Sequence, residues 1–170
     1  MDNVTDDSPY IDDDEDNIIQ IPRSPMAKGT LHEHGGAPAK NPCGSCPYRQ
    51  DVPSGVWARS EYEKLPDYDL PTGEQPISVF LCHQQDGRLC AGYVGCHDMT
   101  QSLGLRLAVP LGSITIEAMV AAYDYESPVP LWESGQEAHD HGVADIDAPS
   151  EKATRTVNKL KKKVPGVIAG

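Results

Sequence analysis

The sequence predicts a small, loop-rich α+β domain with one or two short strands and several short helices, preceded by a disordered acidic tail. Three observations lead there. A chain of 170 residues with 15 glycines, 15 prolines and one phenylalanine has little to bury. Its first twenty residues hold eight acids (Asp2, Asp6, Asp7, Asp12, Asp13, Asp14, Glu15, Asp16) and no base. Five cysteines, gathered in two groups, offer a thin core a staple.

Residues 1–40 read as tail and linker. The acids repel one another and carry no core-forming pattern, so they are expected to be disordered. Ile21 to Lys40 is rich in Pro, Gly, His and Ser with no period. Residues 41–148 form the cysteine-rich domain, and 149–170 a basic helix and tail. The opening MDNVTDDSPY has neither the basic start nor the apolar run of a secretory leader, and no stretch approaches the roughly 20 apolar residues of a membrane helix. The expected location is the cytoplasm, where thiols stay reduced.

Each element has a local signal. Ser60-Glu61-Tyr62-Glu63 has capping-box form and predicts a helix to about Leu65, ended by Pro66. The alternation in ISVFLC, residues 77–82, predicts a strand that delivers Cys82 at its end. Gly87, Gly92 and Gly95 predict a loop able to fold closely around something. Asp98 is placed to cap a helix from Met99 to about Ala108. The segment from Ser113 to Glu126 predicts a helix with Ile116, Met119, Val120 and Tyr123 on its apolar face. Ser134 opens another capping box, and 150–163 forms an amphipathic helix with Ala153, Val157, Leu160 and Val164 in register.

The cysteines carry the chemistry. Cys43-Gly-Ser-Cys46 brings two sulfurs to one side of a turn, and a divalent cation offsets the repulsion between their thiolates. Cys82-His83, Cys90 and Cys96-His97 follow. That makes seven candidate ligands in two clusters, where a tetrahedral ion or a [4Fe–4S] cluster needs four. A metal-stabilised domain is therefore expected. A thiol redox site is the rival, but no strand precedes the Cys-x-x-Cys turn as that chemistry requires. His83 and His97 are expected to support the ligands rather than bind directly, since neighbouring side chains of an extended segment point opposite ways. His139 and His141 read as solvent-exposed, and His32 and His34 receive no role.

NPCGSCPYRQDVPSGVW, FLCHQQDGRLCAGYVGCHD and SPVPLWESGQEAHDHG together resemble a cysteine-rich family of unknown function found in actinobacteria and their bacteriophages. The likeness runs from about Pro42 to the C-terminus and rests on Cys43, Cys46, Pro47, Cys82, His83, Cys90, Ala91 and Gly92; Cys96 and His97 match only the longer members. The resemblance implies a metal quartet of Cys43, Cys46, Cys82 and Cys90, with Cys96 in reserve. It implies no activity, and a host-cytoplasmic site of action for phage-encoded members.

Four thiolates close a coordination sphere, so the expected function is a small intracellular interaction or regulatory module stabilised by zinc, with a protein partner. An iron–sulfur regulator or sensor is the alternative. An enzyme, built on an open metal position with Asp86, His97 or Asp98 as acid or base, is disfavoured: no nucleophile–base pair, phosphate loop or zincin motif is present. The acidic charge disfavours nucleic acid, whose binding runs on lysine and arginine. The lysines from Lys159 to Lys163 remain able to meet an acidic partner.

Overall fold

The computed structural model describes residues 36–85 and 87–162. The expectations for the acidic tail, His32, His34, Asp86 and Val164 lie outside these residues. The described chain folds into six short helices: α1 (Arg59–Tyr62), α2 (Ala91–Cys96), α3 (Leu103–Ala108), α4 (Ile116–Tyr123), α5 (Gly135–Ala144) and α6 (Glu151–Leu160). Single 3₁₀ turns cover Pro66–Asp69, Thr72–Glu74 and Met99–Gln101.

The expected α+β class is overturned, because the described residues contain isolated β-bridges and no strand. The segment 77–82 finds a pairing partner over only three residues. Cys90 N–H donates to Phe80 O and Cys82 N–H to Arg88 O, both at 2.9 Å, around a Leu81–Leu89 antiparallel bridge. Earlier in the segment the backbone meets a helix instead: Gly104 of α3 lies so close to Ser78 that a Cβ there would stand 2.6 Å from the Ser78 carbonyl oxygen. Phe80 enters the core, with Val79, Leu81 and Cys82 packed against it, while Ile77 stays exposed, and no neighbouring strand completes a ladder.

Hydroxyl and carboxylate caps set several helix starts. Ser102, Thr115, Ser134 and Ser150 accept from the amides of Leu105, Ala118, Glu137 and Ala153, satisfying N–H groups that have no partner within the helix. Asp98 caps as expected, accepting from Thr100 N–H at 2.9 Å. It opens only the 3₁₀ turn, and Ser102 starts α3 afresh. Ser60 does not cap; α1 begins after Ala58, with no side-chain cap.

Two expected faces are also corrected. The glycine-rich segment after Cys90 is helix α2, not a loop: Gly92 and Gly95 sit where other side chains press against the helix backbone. In α4 the small residues Ala118 and Ala122 are buried, while Ile116, Val120 and Tyr123 remain exposed. Close approach of that helix to the core selects side-chain size over hydrophobicity.

The core joins Tyr48, Val56, Trp57, Tyr62, Leu65, Leu89, Tyr93 and Leu105. Phe80 meets Tyr48 and Tyr68 edge to face, at 6.0 and 5.6 Å between centroids, within the range where aromatic pairs attract. Helix α5 lies on α1 through Gly142, whose missing side chain leaves room for the Tyr62 ring. Helix α6 buries Ala153, Val157 and Leu160. Among the described residues no helix is long and apolar enough to cross a membrane.

Candidate functional site

The Cys43–Cys46 turn closes through Cys46 N–H donating to Cys43 O at 3.0 Å, and the chain continues with Arg49 N–H on Cys46 O at 3.1 Å. Trp57 secures it from beneath, its buried indole N–H donating to Ser45 O at 2.6 Å. The Gln84 amide donates to Ser45 Oγ and ties the turn to the segment after Cys82. Cys82 and Cys90 belong to the short paired stretch, and Cys90 is the residue from which α2 starts.

These three pieces carry the four cysteines into one neighbourhood, in which Cys46 and Cys82 both act to lower the Cys43 thiol. The Cys46 and Cys90 sulfurs are 3.8 Å apart and buried. The close fit extends to the backbone: a Cβ on Gly92 would overlap Cys46 Sγ and stand 3.0 Å from Tyr48 Cβ. Gly92 is thus glycine because a sulfur occupies the space its side chain would fill.

The Cys43 thiol is lowered to about 3 by the neighbouring Cys46 and then Cys82 thiols, against burial. Cys46 is raised because it donates to Cys43, with its Cys90 contact and burial adding to the rise. Cys82 is raised by donating to Cys43 and by burial. One thiolate is thus supported by neighbouring thiols. As they stand, among the described residues, no group of three or more His, Cys, Asp or Glu side chains is placed to hold a metal ion. Cys46 and Cys90 are in sulfur contact, and Cys43 and Cys82 would have to draw in on that pair to enclose one. The donor set itself fits a thiophilic ion: four sulfurs, one already favouring the thiolate form, with no carboxylate among them.

Cys96 and the histidines stand apart from this group. The Cys96 thiol is pushed up to about 12 by burial and then by the Asp69 and Glu137 carboxylates. It lines a cleft of about 540 Å³ with Tyr125, Leu131 and Trp132. His97 Nδ1 faces Tyr93 O at 2.8 Å and Nε2 faces Asp69 Oδ1 at 3.0 Å, so both ring nitrogens already have partners within the protein. Asp69 also accepts from Gly135 and Gln136 N–H at 2.8 and 2.7 Å, joining His97 to the start of α5.

His83 Nε2 lies 3.0 Å from Glu61 Oε2, and its ring stands 5.1 Å from that of Trp57. Glu61 is held down at about 2, first by this bond. His83 thus stands against Trp57, the residue whose indole holds Ser45 of the turn. His141 is part-buried rather than exposed, its Nε2 donating to Val52 O at 2.8 Å. Trp57, Ser45, Gln84 and Gly92 are the supporting residues whose roles the sequence did not reveal. The PSGVW segment and the glycine two places after Cys90 carried the available signal.

A family model described as a family of unknown function (DUF6283) matches residues 38–161, a span that includes all five cysteines and α6. No curated protein and no solved structure matches the chain.

Proposed function

Because the chain belongs to the DUF6283 family, which brings no activity with it, we propose its function from the thiol cluster: a small protein module stabilised by one zinc ion on Cys43, Cys46, Cys82 and Cys90. The supporting observation is the 3.8 Å between the Cys46 and Cys90 sulfurs. Four sulfurs at the usual zinc distance of about 2.3 Å occupy tetrahedral corners about 3.8 Å apart. An iron–sulfur cubane places each thiolate on a different iron and holds the sulfurs further apart, which makes the [4Fe–4S] regulator the second reading. Bound zinc would supply structural cross-linking and leave no open position for a substrate. The module reading, with a protein partner and no enzymatic role, follows from that closure.

The same reading carries the expectation that the module works in a reducing compartment, the cytoplasm, and for a phage-encoded copy the cytoplasm of its host; the motif likeness supports it. Metal analysis and visible absorption of protein purified without oxygen test the reading. One zinc per chain and no colour are expected; brown protein containing iron and acid-labile sulfide supports the cluster instead, and metal-free folded protein removes both.

A further inference from the structure

Apart from the thiol cluster, the cleft of about 540 Å³ lies between the end of helix α2 and the segment 125–133. Gly95 makes room for that segment. A Cβ there would stand 2.9 Å from Leu131 Cδ1 and 3.1 Å from Tyr125 Cε1, so a side chain would push the segment off the helix. The segment is tied down along its length. Tyr125 OH donates to Lys40 O at 3.3 Å, Ser127 Oγ to Val129 O at 2.8 Å, and Trp132 N–H to Tyr48 O at 2.9 Å. The Gln50 side-chain amide adds a bond to Leu131 O at 2.7 Å. The cleft is therefore preformed, and its volume falls in the range of about 300–1,000 Å³ usual for binding sites.

Its lining carries one sign of charge. Glu126 and Glu133 are exposed on it, and no lysine or arginine lines it. Among the described residues no ion pair engages either carboxylate. Asp69 and Glu137 add to the negative field, which is felt at the Cys96 thiol. The same cleft holds two aromatic rings, Tyr125 and Trp132, the second backed by the His141 ring at 4.9 Å between centroids. The Trp132 indole N–H is buried and has no partner among the described residues. A buried donor left alone is costly, and it calls for an acceptor from outside the chain.

We propose that this cleft receives an arginine residue of a protein partner, with the guanidinium against the Tyr125 and Trp132 rings and paired with Glu126 and Glu133. An anion is repelled by these carboxylates, and an apolar guest strips water from them without replacing it. A guanidinium is flat, always charged, stacks on aromatic faces and presents a fork of donors to carboxylate oxygens. Lysine lacks the flat face. Because the guanidinium has donors only, the acceptor for Trp132 Nε1 is a carbonyl of the peptide that carries it. The inference names the partner chemistry that the module reading leaves open. It rests on that reading only in taking the partner to be protein, and no part of it uses the metal.

Titrating the full ¹⁵N-labelled chain with a terminally blocked Gly-Arg-Gly peptide tests it. The chain has two tryptophans, and Trp57 already donates to Ser45 O, so the Trp132 indole resonance reports on the cleft. A saturable shift of that resonance is expected, with a Kd on the order of millimolar for so small a ligand. The Gly-Lys-Gly peptide should bind several-fold more weakly, and Gly-Gln-Gly should leave the resonance in place. Combining Glu126→Gln with Glu133→Gln should weaken the arginine peptide several-fold while amide dispersion is kept, both positions being exposed. No Trp132 shift at about 20 mM peptide, well above that Kd, would overturn the proposal. So would an equal response to the glutamine peptide, or unchanged affinity in the double variant. Zinc content measured on the same samples reads the module proposal separately: folded, metal-free protein that still binds the arginine peptide removes the zinc and leaves the cleft assignment standing.

Discussion

Cys46 and Cys90 are separated by 44 positions in sequence and by 3.8 Å between sulfurs. The turn that carries Cys46 is held by Trp57, and Cys90 by its bond to Phe80, so two independently anchored backbone segments fix this spacing. Cys43 stands on the same turn as Cys46, and Cys82 on the short paired stretch with Cys90.

Replacing any one of Cys43, Cys46, Cys82 or Cys90 by Ser should abolish metal binding and collapse amide dispersion. Structural zinc contributes about 10–16 kcal/mol, comparable with or above the whole stability of a domain. Cys96→Ser should keep both metal and fold. Metal content and two-dimensional amide spectra of the five variants check this; metal loss in Cys96→Ser with retention in Cys90→Ser removes Cys90 from the quartet.

Gly92→Ala should behave like a ligand mutation although it removes no donor. Its Cβ would overlap Cys46 Sγ, and relief must come from moving the Cys43–Cys46 turn. A cost of about 1–3 kcal/mol from overpacking is expected, with loss of metal affinity. Thermal melts paired with zinc titration measure both; unchanged affinity would show that the turn accommodates the methyl group.

Glu61 gives the fold an acid-sensitive element. Its folded value of about 2 lies below the ordinary 4.5, so its contribution is present above about 4.5 and is lost as pH falls towards 2. Comparing denaturant melts of the natural chain and Glu61→Gln across this window isolates the effect. Their stability difference should narrow from pH 5 to pH 2; a constant difference across that window would assign Glu61 no linkage. His83→Ala should reduce the same pH dependence, leaving the part due to Lys64.

The faces of α4 predict opposite outcomes for similar-looking changes. Ala118→Leu should cost about 1–3 kcal/mol, because Ala118 is 4% exposed and packed. Ile116→Ser should change stability by no more than about 0.5 kcal/mol, as Ile116 is 60% exposed. Chemical denaturation of the two variants is sufficient; a larger loss in Ile116→Ser would mean that this face is covered.

That Cys46 and Cys90 belong to one neighbourhood was legible because motif resemblance survives without knowledge of the packing; the quartet with Cys43 and Cys82 stays a proposal. The caps at Asp98 and Ser134 were legible because an N-cap is a local interaction. Helix α2 was not, since glycine is a poor helix former and only the opposing Cys46 sulfur and Tyr125 ring explain why it is needed. The α4 face was misread for a related reason: periodicity marks which residues are apolar, whereas the distance to the neighbouring elements decides which of them fit. The strand at 77–82 failed because alternation describes one chain and a ladder requires two.

The overlap between a Gly92 side chain and the Cys46 sulfur also makes the two positions an inherited unit. A relative that retains the thiol at position 46 cannot accept alanine at 92 without shifting its backbone, whereas one that has lost the thiol is released from that restriction. In a family alignment the two columns should therefore change together, despite their distance along the chain. A member with glycine at both positions would mark the order of events, the sulfur lost first and the helix still carrying the space made for it.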